Sequence, residues 1–257
     1  DPHPAKLFRP DAPPFALTRL DQKLDLFAGF GIDATVVIPF NAALAALTAE
    51  QFVADWLHAR IGAGVAVSGA DFTFGTKRSG NTALLAELGQ GHGFAAEVVH
   101  AVSDSGGVIS STRIREALRD GEVAAATALL TRPYSIRGEV QHGAKLGRTL
   151  GFPTANMVLG AYLRPRSGVY AVRARLGDGS HVDGVANLGI RPMIEPVVEL
   201  LETFLFDWAG DLYGQTIDIE LVEFLRPEWK LDGLDALKAQ IAVDSDNARA
   251  ALARVAR

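Results

Sequence analysis

The sequence predicts an α/β protein in two parts, a layered parallel sheet followed by a small barrel or sandwich closed by one long helix. Three observations predict it. Strand-like and helical periods alternate up to about residue 130, short strand-like runs separated by turn residues follow, and one long helical pattern ends the chain. A length of 257 residues, 48% of them apolar, with a mean hydropathy of +0.15, supplies core for one large domain or two small ones.

In "TRLDQKLDLFAGFG" (18–31), Leu20, Leu24 and Phe27 share one helical face, and "ATVVIPF" (34–40) reads as a buried strand. "TAEQFVADWLHARIG" (48–62) opens with Thr48 and Gln51 in capping-box spacing, and "GVAVSG" (64–69) is the next strand. "NTALLAELG" (81–89) is helical, "FAAEVVHAV" (94–102) strand-like, and "STRIREALRDGEVAAATALL" (111–130) two short helices parted at Gly121. Strands joined through helices pair in parallel, because a parallel neighbour needs a crossover connection. The pattern then changes. "YSIRGEVQH", "GVYAVRARL", "HVDGVANLG", "VVELLETFLFDW" and "QTIDIELVEFL" are strand-like and spaced by turns, as in a small barrel or sandwich. "LDALKAQIAVDSDNARAALARV" (234–255) is a helix with Asp232 as its expected N-cap. The division falls near 131–133, giving residues 1–130 and 131–257.

Composition excludes several function classes. A net charge of −5 argues against a nucleic-acid-binding surface, which needs clustered Lys and Arg, but leaves room for an anionic nucleotide at a local site. The absence of cysteine removes disulfides, thiolate zinc sites and Cys nucleophiles. No apolar run approaches the ~18 residues of a membrane helix. "DPHPAKLFRP" lacks a basic n-region and an apolar h-region, so a cytoplasmic protein without membrane partners is expected. The six histidines show no metal-ligand spacing and there is no G-x-x-x-x-G-K-[ST] loop. "GFGIDA" (29–34) matches a dinucleotide fingerprint by letter, yet a helix precedes it and a strand follows, so it reads as a helix end and turn.

Three stretches carry candidate chemistry. In "ISSTRIREAL" (109–118), Ser110, Ser111 and Thr112 stand at a helix start, where free N–H groups favour an anion. Arg113 and Arg115 add donors for phosphate oxygens, although an ordinary N-cap with two solvated arginines fits the same letters. "GADFTFGTKRSG" (69–80) follows a strand end, where Asp71, Phe72 and Phe74 either hold a flat ring or form a tight loop with both phenylalanines in the core. In "RGEVQHGAKLGRTLGFPTANM" (137–157), Gly143, Gly147 and Gly151 recur every four residues after a strand. Glycine admits the positive φ and close approach of an anion-binding nest, Lys145 and Arg148 add charge, and Thr154 and Asn156 offer hard oxygens of the kind Mg²⁺ accepts. Glu202 shares a strand face with Phe204 and Phe206, and is either an exposed alternate position or a base.

Together these residues resemble the bifunctional bacterial riboflavin kinase/FMN adenylyltransferase (FAD synthetase) family over nearly the whole chain. "GRTLGFPTAN", "SGVYAV", "GVANLGIRP", "DLYG", "LRPEWK" and "LDALKAQIAVD" stand in the family's order, after "DPHP", "DFTFG" and "ISSTRIREAL". The resemblance implies a Rossmann-like nucleotidyltransferase domain over 1–130 and a six-stranded antiparallel β-barrel riboflavin kinase domain with a C-terminal helix over 131–257. It implies ATP- and Mg²⁺-dependent phosphorylation of riboflavin to FMN, and adenylylation of FMN to FAD. By motif position, Thr154 and Asn156 would hold Mg²⁺ and the ATP phosphates, Gly143, Lys145, Gly147, Arg148 and Gly151 would form the phosphate flap, and Glu202 would be the base. Arg226 and the segment after it would lie near the flavin. Asp71, Phe74, Ser110, Ser111, Thr112 and Arg115 would serve the adenylyltransferase.

The sequence departs from the family's pattern at its start. The family's H-x-G-H loop, upstream of F-x-P-H-P, has no counterpart here, so FMN and not FAD is the expected product of these 257 residues. "ETF" stands where many members carry E-V-H, and "GIRPMIEPVV" lacks the usual Thr after Pro; neither change removes a proposed catalytic group. A non-catalytic flavin- or nucleotide-binding module, and an adenylyltransferase for another substrate, are the competing readings.

Overall fold

The computed structural model describes residues 1–142, 151–191 and 198–255. The chain divides into two units, Asp1–Ala12 with Ala34–Ile109, and Pro13–Asp33 with Ser110–Arg257. The backbone thus passes from one unit to the other at three points, whereas the periodicity changes once.

In the first unit, β1 (Val65–Gly69) pairs in parallel with β2 (Ala95–Val99), in register from Val65↔Ala95 to Gly69↔Val99. The helix Thr82–His92 makes the crossover that this pairing requires. Asn81 caps it, its Oδ1 accepting from Leu84 N at 3.0 Å. Ala49, Val53, Phe74, Leu85 and Phe94 form the core. A two-residue hairpin, β3 (Ser103–Asp104) with β4 (Gly107–Val108), follows.

One local expectation is corrected and one is met with a change of pitch. Residues 34–40 form no strand; Asp1 N donates to Ile38 O at 2.8 Å and Phe40 N to Asp1 O at 3.3 Å, but no described strand pairs with the run. A β-branched run becomes a strand only when a ladder takes its backbone groups. The capping box at Thr48 forms, with Gln51 N donating to Thr48 Oγ1 at 3.2 Å, yet the helix passes into π geometry over Phe52–Arg60. A cap specifies where a helix starts, not its pitch.

The second unit is a six-stranded sheet of β5 (Tyr134–Glu139), β6 (Thr154–Val158), β7 (Gly168–Arg175), β8 (His181–Arg191), β9 (Val198–Leu205) and β10 (Thr216–Arg226). Their order is β5-β10-β7-β8-β9-β6, with every pair antiparallel. The end strands meet where Gln141 N donates to Asn156 O at 2.8 Å, which closes the sheet into a barrel. Ile136, Met157, Val172, Leu188, Leu201 and Ile219 fill its interior. The outer face carries Val169, Ala171 and Val185, covered by Ala248, Ala251 and Leu252 of the helix Gly233–Ala253. Asp232 is the N-cap, as expected, without a side-chain cap bond. Asp244, inside that helix, is the anchoring carboxylate, accepting from Arg226 Nε at 2.8 Å.

Helices Ser111–Asp120 and Val123–Leu130, parted at Gly121 as expected, add Ile114, Leu118, Val123 and Ala126 to the barrel core. Helix Leu20–Gly29 also belongs here and ends before Gly31, whose φ is +79°. Its buried Gln22 donates to Ser135 O and Asp218 Oδ1, both at 3.3 Å, and bonds the Tyr162 hydroxyl. Asp218 also holds Arg137 in a two-pronged contact at 2.8 and 3.1 Å, and Arg175.

Candidate active site

Register brings the expected kinase residues together. Asn156 of β6 lies opposite Glu202 of β9, and Glu202 lies opposite Asn187 of β8. Directly opposed residues of antiparallel strands share a face, so Asn156, Glu202 and Asn187 form one polar row across three strands. Thr154 shares that face by alternation. The neighbouring row, Ala155, Thr203 and Ala186, points the other way, into the barrel.

Asn156 is 5% exposed. Its Nδ2 donates to Thr154 O at 3.3 Å, while its Oδ1 has no hydrogen-bond partner among the described residues. A buried carbonyl oxygen without a donor is costly, and a hard cation is one partner that satisfies it. No group of three or more His, Cys, Asp or Glu among the described residues is arranged to hold a metal.

Against Thr154 and the inward-facing Ala155 and Thr203 lies a cavity of about 330 Å³, bounded by β6, β9 and residues 208–213. Pro153, Thr154, Thr203, Trp208, Asp211 and Tyr213 are among its walls. Alanines on both sides of Thr203 leave this end of the barrel unfilled, whereas Met157, Leu201 and Leu188 pack the next row. The "DLYG" turn holds one wall, with Tyr213 N donating to Asp211 Oδ1 at 3.0 Å and the Tyr213 ring 3.8 Å from that of His142. Trp208 and Thr203 are cavity residues that motif reading did not select; the only signal was the departure at "ETF".

Gly151, with φ +88°, adopts the left-handed backbone expected of the flap. Gly143, Lys145, Gly147 and Arg148 lie outside the described residues. Arg226 is fully engaged. It bonds both oxygens of Asp244, donates to Pro227 O at 2.9 Å, and stacks over Trp229 at 4.5 Å. The next turn brings Glu228 against β8, accepting from Asn187 Nδ2 at 2.9 Å.

The remaining candidates divide between the units. Asp71 and Phe74 belong to the first; Ser110, Ser111, Thr112 and Arg115 belong to the second. Phe74 is a core residue stacked on Phe72 at 5.4 Å, the second of the two readings left open for this loop. Gly80 is required beside it, since a Cβ there would lie 2.6 Å from the Phe74 ring. Asp71 is exposed. Ser110 is the N-cap, its Oγ accepting from Arg113 N at 3.3 Å, and Ser111 and Thr112 open the helix. Arg115 donates to Phe15 O at 2.9 Å, and desolvation, then the charge of Arg119, lowers its pKa.

A six-stranded barrel that sets a carboxylate opposite a buried, donor-poor Thr-x-Asn strand beside a cavity has the equipment of a small-molecule phosphotransferase. The sequence comparisons name the family. A riboflavin kinase profile matches residues 130–252 and an FAD synthetase profile residues 1–113. The bifunctional riboflavin kinase/FMN adenylyltransferase of Escherichia coli (strain K12) is 42% identical over 250 residues, covering 97% of this chain and 80% of that one. Its namesake from Haemophilus influenzae is 39% identical over 247 residues, covering 96% and 80%. The chain belongs to the bifunctional riboflavin kinase/FMN adenylyltransferase family, enzymes of flavin-cofactor synthesis. A crystal structure described as a macrolide-efflux protein from Streptococcus pneumoniae shares the fold, with 30% identity and a TM-score of 0.84 over 96% of this chain and 80% of that chain. No helix among the described residues here is long and apolar enough to cross a membrane.

Proposed function

We propose that residues 131–257 transfer the γ-phosphoryl group of ATP to the ribityl 5′-hydroxyl of riboflavin, giving FMN, and that residues 1–130 belong to the part that joins AMP from a second ATP to FMN. The cross-strand pairing of Asn156 with Glu202, each one residue along its strand from the Ala155 and Thr203 that line the cavity, carries the kinase reading. Phosphoryl transfer asks for positioning and charge neutralisation more than covalent chemistry. Thr154 and Asn156 would hold Mg²⁺, and the buried Asn156 Oδ1 fits that role. Bound there, the cation supplies neutralising charge for the phosphates. Gly143, Lys145, Gly147, Arg148 and Gly151 cradle the phosphates. Glu202 accepts the proton of the attacking hydroxyl. Arg226, locked to Asp244, holds Trp229 and Glu228 in place as a frame for the flavin.

For the second transfer, Ser110, Ser111, Thr112 and Arg115 bind the triphosphate, and Asp71 and Phe74 shape the nucleotide loop. We infer a cytoplasmic enzyme acting on small molecules, without nucleic-acid or membrane partners.

The test is chromatographic separation of flavins after incubation with riboflavin, ATP and Mg²⁺. An FMN peak is expected. A folded chain that binds riboflavin yet makes no FMN overturns the kinase reading. An FAD peak in the same trace assigns the second transfer.

A further inference from the structure

We infer that Thr203 reads the base of the phosphoryl donor, its hydroxyl forming a hydrogen bond that exists only when the nucleotide occupies the cavity. The inference rests on the kinase reading. Thr203 is 1% exposed, points into the barrel between Ala155 and Ala186, and lines the cavity. Its Oγ1 has no hydrogen-bond partner among the described residues. Valine has the same shape and would satisfy this interior better, because a buried hydroxyl left unpaired costs free energy that a methyl does not. A hydroxyl at an apolar position, beside open volume, marks a place where the free protein sacrifices stability for a bound partner.

The partner's chemistry follows from the walls. Thr203 faces a space lined by Leu205, Leu212, Trp208 and Tyr213, which suits a flat, largely apolar ring with a polar edge. Thr154, expected at the phosphates, stands on the same wall, but alternation turns its side chain to the opposite face from Thr203. Thr203 is therefore placed for the ring and Thr154 for the phosphates. A hydroxyl both donates and accepts, so it can meet either kind of atom on a base edge.

The experiment compares the wild type with Thr203→Val and Thr203→Ser. Thr203→Val is expected to raise the ATP Kd by calorimetry, and the ATP KM for FMN formation, about 5- to 10-fold, the loss of one hydrogen bond. The riboflavin KM and the inhibition constant of inorganic tripolyphosphate should stay unchanged, and the variant should melt a few degrees higher without nucleotide. Thr203→Ser, which keeps the hydroxyl, should restore ATP affinity. Unchanged ATP affinity in a folded Thr203→Val overturns the inference, as does an equal loss for tripolyphosphate, which would place the hydroxyl at the phosphates. A wild type that makes no FMN refutes the kinase reading instead, and that outcome is read before either variant is made.

Discussion

In the barrel, Val172 and Ile219 are wholly buried, whereas Val67 of β1 and Val99 of β2, in strands of the same composition, are 61% and 54% exposed. The β1–β2 sheet has two strands, two open edges and its core on one side only. Each of β7, β8, β9 and β10 has a neighbour on both sides, and β5 and β6 meet at the Gln141 bridge. Closure buries an inner face, and the helix Gly233–Ala253 buries part of the outer one. The contrast teaches that alternating β-branched residues announce a strand but not how much of it becomes core. That depends on how many partners arrive. The barrel also holds the row of Asn156, Glu202 and Asn187, and a row whose geometry spans β6, β9 and β8 keeps its spacing through the rigidity that closure supplies.

Four substitutions probe this contrast, from the largest effect to the smallest. Glu202→Gln keeps the row's shape and removes the proposed base, so initial rates of FMN formation should fall about 10²- to 10⁴-fold while riboflavin affinity stays within a few fold. Loss of flavin affinity in equal measure would show that Glu202 binds rather than catalyses.

Ile219→Ala, in the closed interior, should cost about 2–5 kcal/mol in urea unfolding followed through the barrel's Trp208 fluorescence. A cost below about 1 kcal/mol would mean that the barrel core repacks as easily as a surface.

Asp218 gives the barrel an acid dependence. Desolvation pushes its carboxyl up, but the hydrogen bonds and charge of Arg137, the charge of Arg175 and the Gln22 amide outweigh it, holding the pKa below its ordinary value of 3.8. A group whose folded pKa is depressed contributes stability above its unfolded pKa and loses it as pH falls through the folded value. The contribution of Asp218 to barrel stability should therefore be full from neutrality to about pH 5 and decline below about pH 4. Asp218→Asn should flatten that decline at the expense of stability at pH 7. Melting curves against pH check both.

Val67→Ala should change stability by less than about 0.5 kcal/mol, because little apolar area leaves water on folding at that position. Native-state hydrogen exchange gives the matching readout, with β7 and β10 amides protected well beyond those of β1 and β2. Equal protection would erase the distinction drawn between the two sheets.

Much of this was legible from residue order. The strands of the second half, the break at Gly121, the caps at Thr48 and Ser110, and the Thr154-x-Asn156 motif all rest on neighbours within a few residues or on a compact motif. Other features were not. The run at 34–40 has strand composition but no strand partner. Phe74 fits either a binding loop or a core until Phe72, Leu85 and Phe94 close around it. Asp232 is the N-cap as its letter suggests, but nothing local shows that Asp244 makes the anchoring bond, because Arg226 reaches the helix three turns in.

The sequence by itself determined local conformation, the two-part pattern, and the residue types available for phosphate, metal and proton chemistry. Tertiary structure alone decided which of them meet. Gln22 reaches Ser135 and Asp218 across more than a hundred residues of chain. Asn156, Glu202 and Asn187 became one row only through strand register. The Thr203 hydroxyl is left without a partner among the described residues only because the barrel closed around it. The physical reason is that propensity, capping and alternation act over a few residues, whereas pairing and burial are won by contacts between segments whose separation along the chain carries no signal of their distance in space.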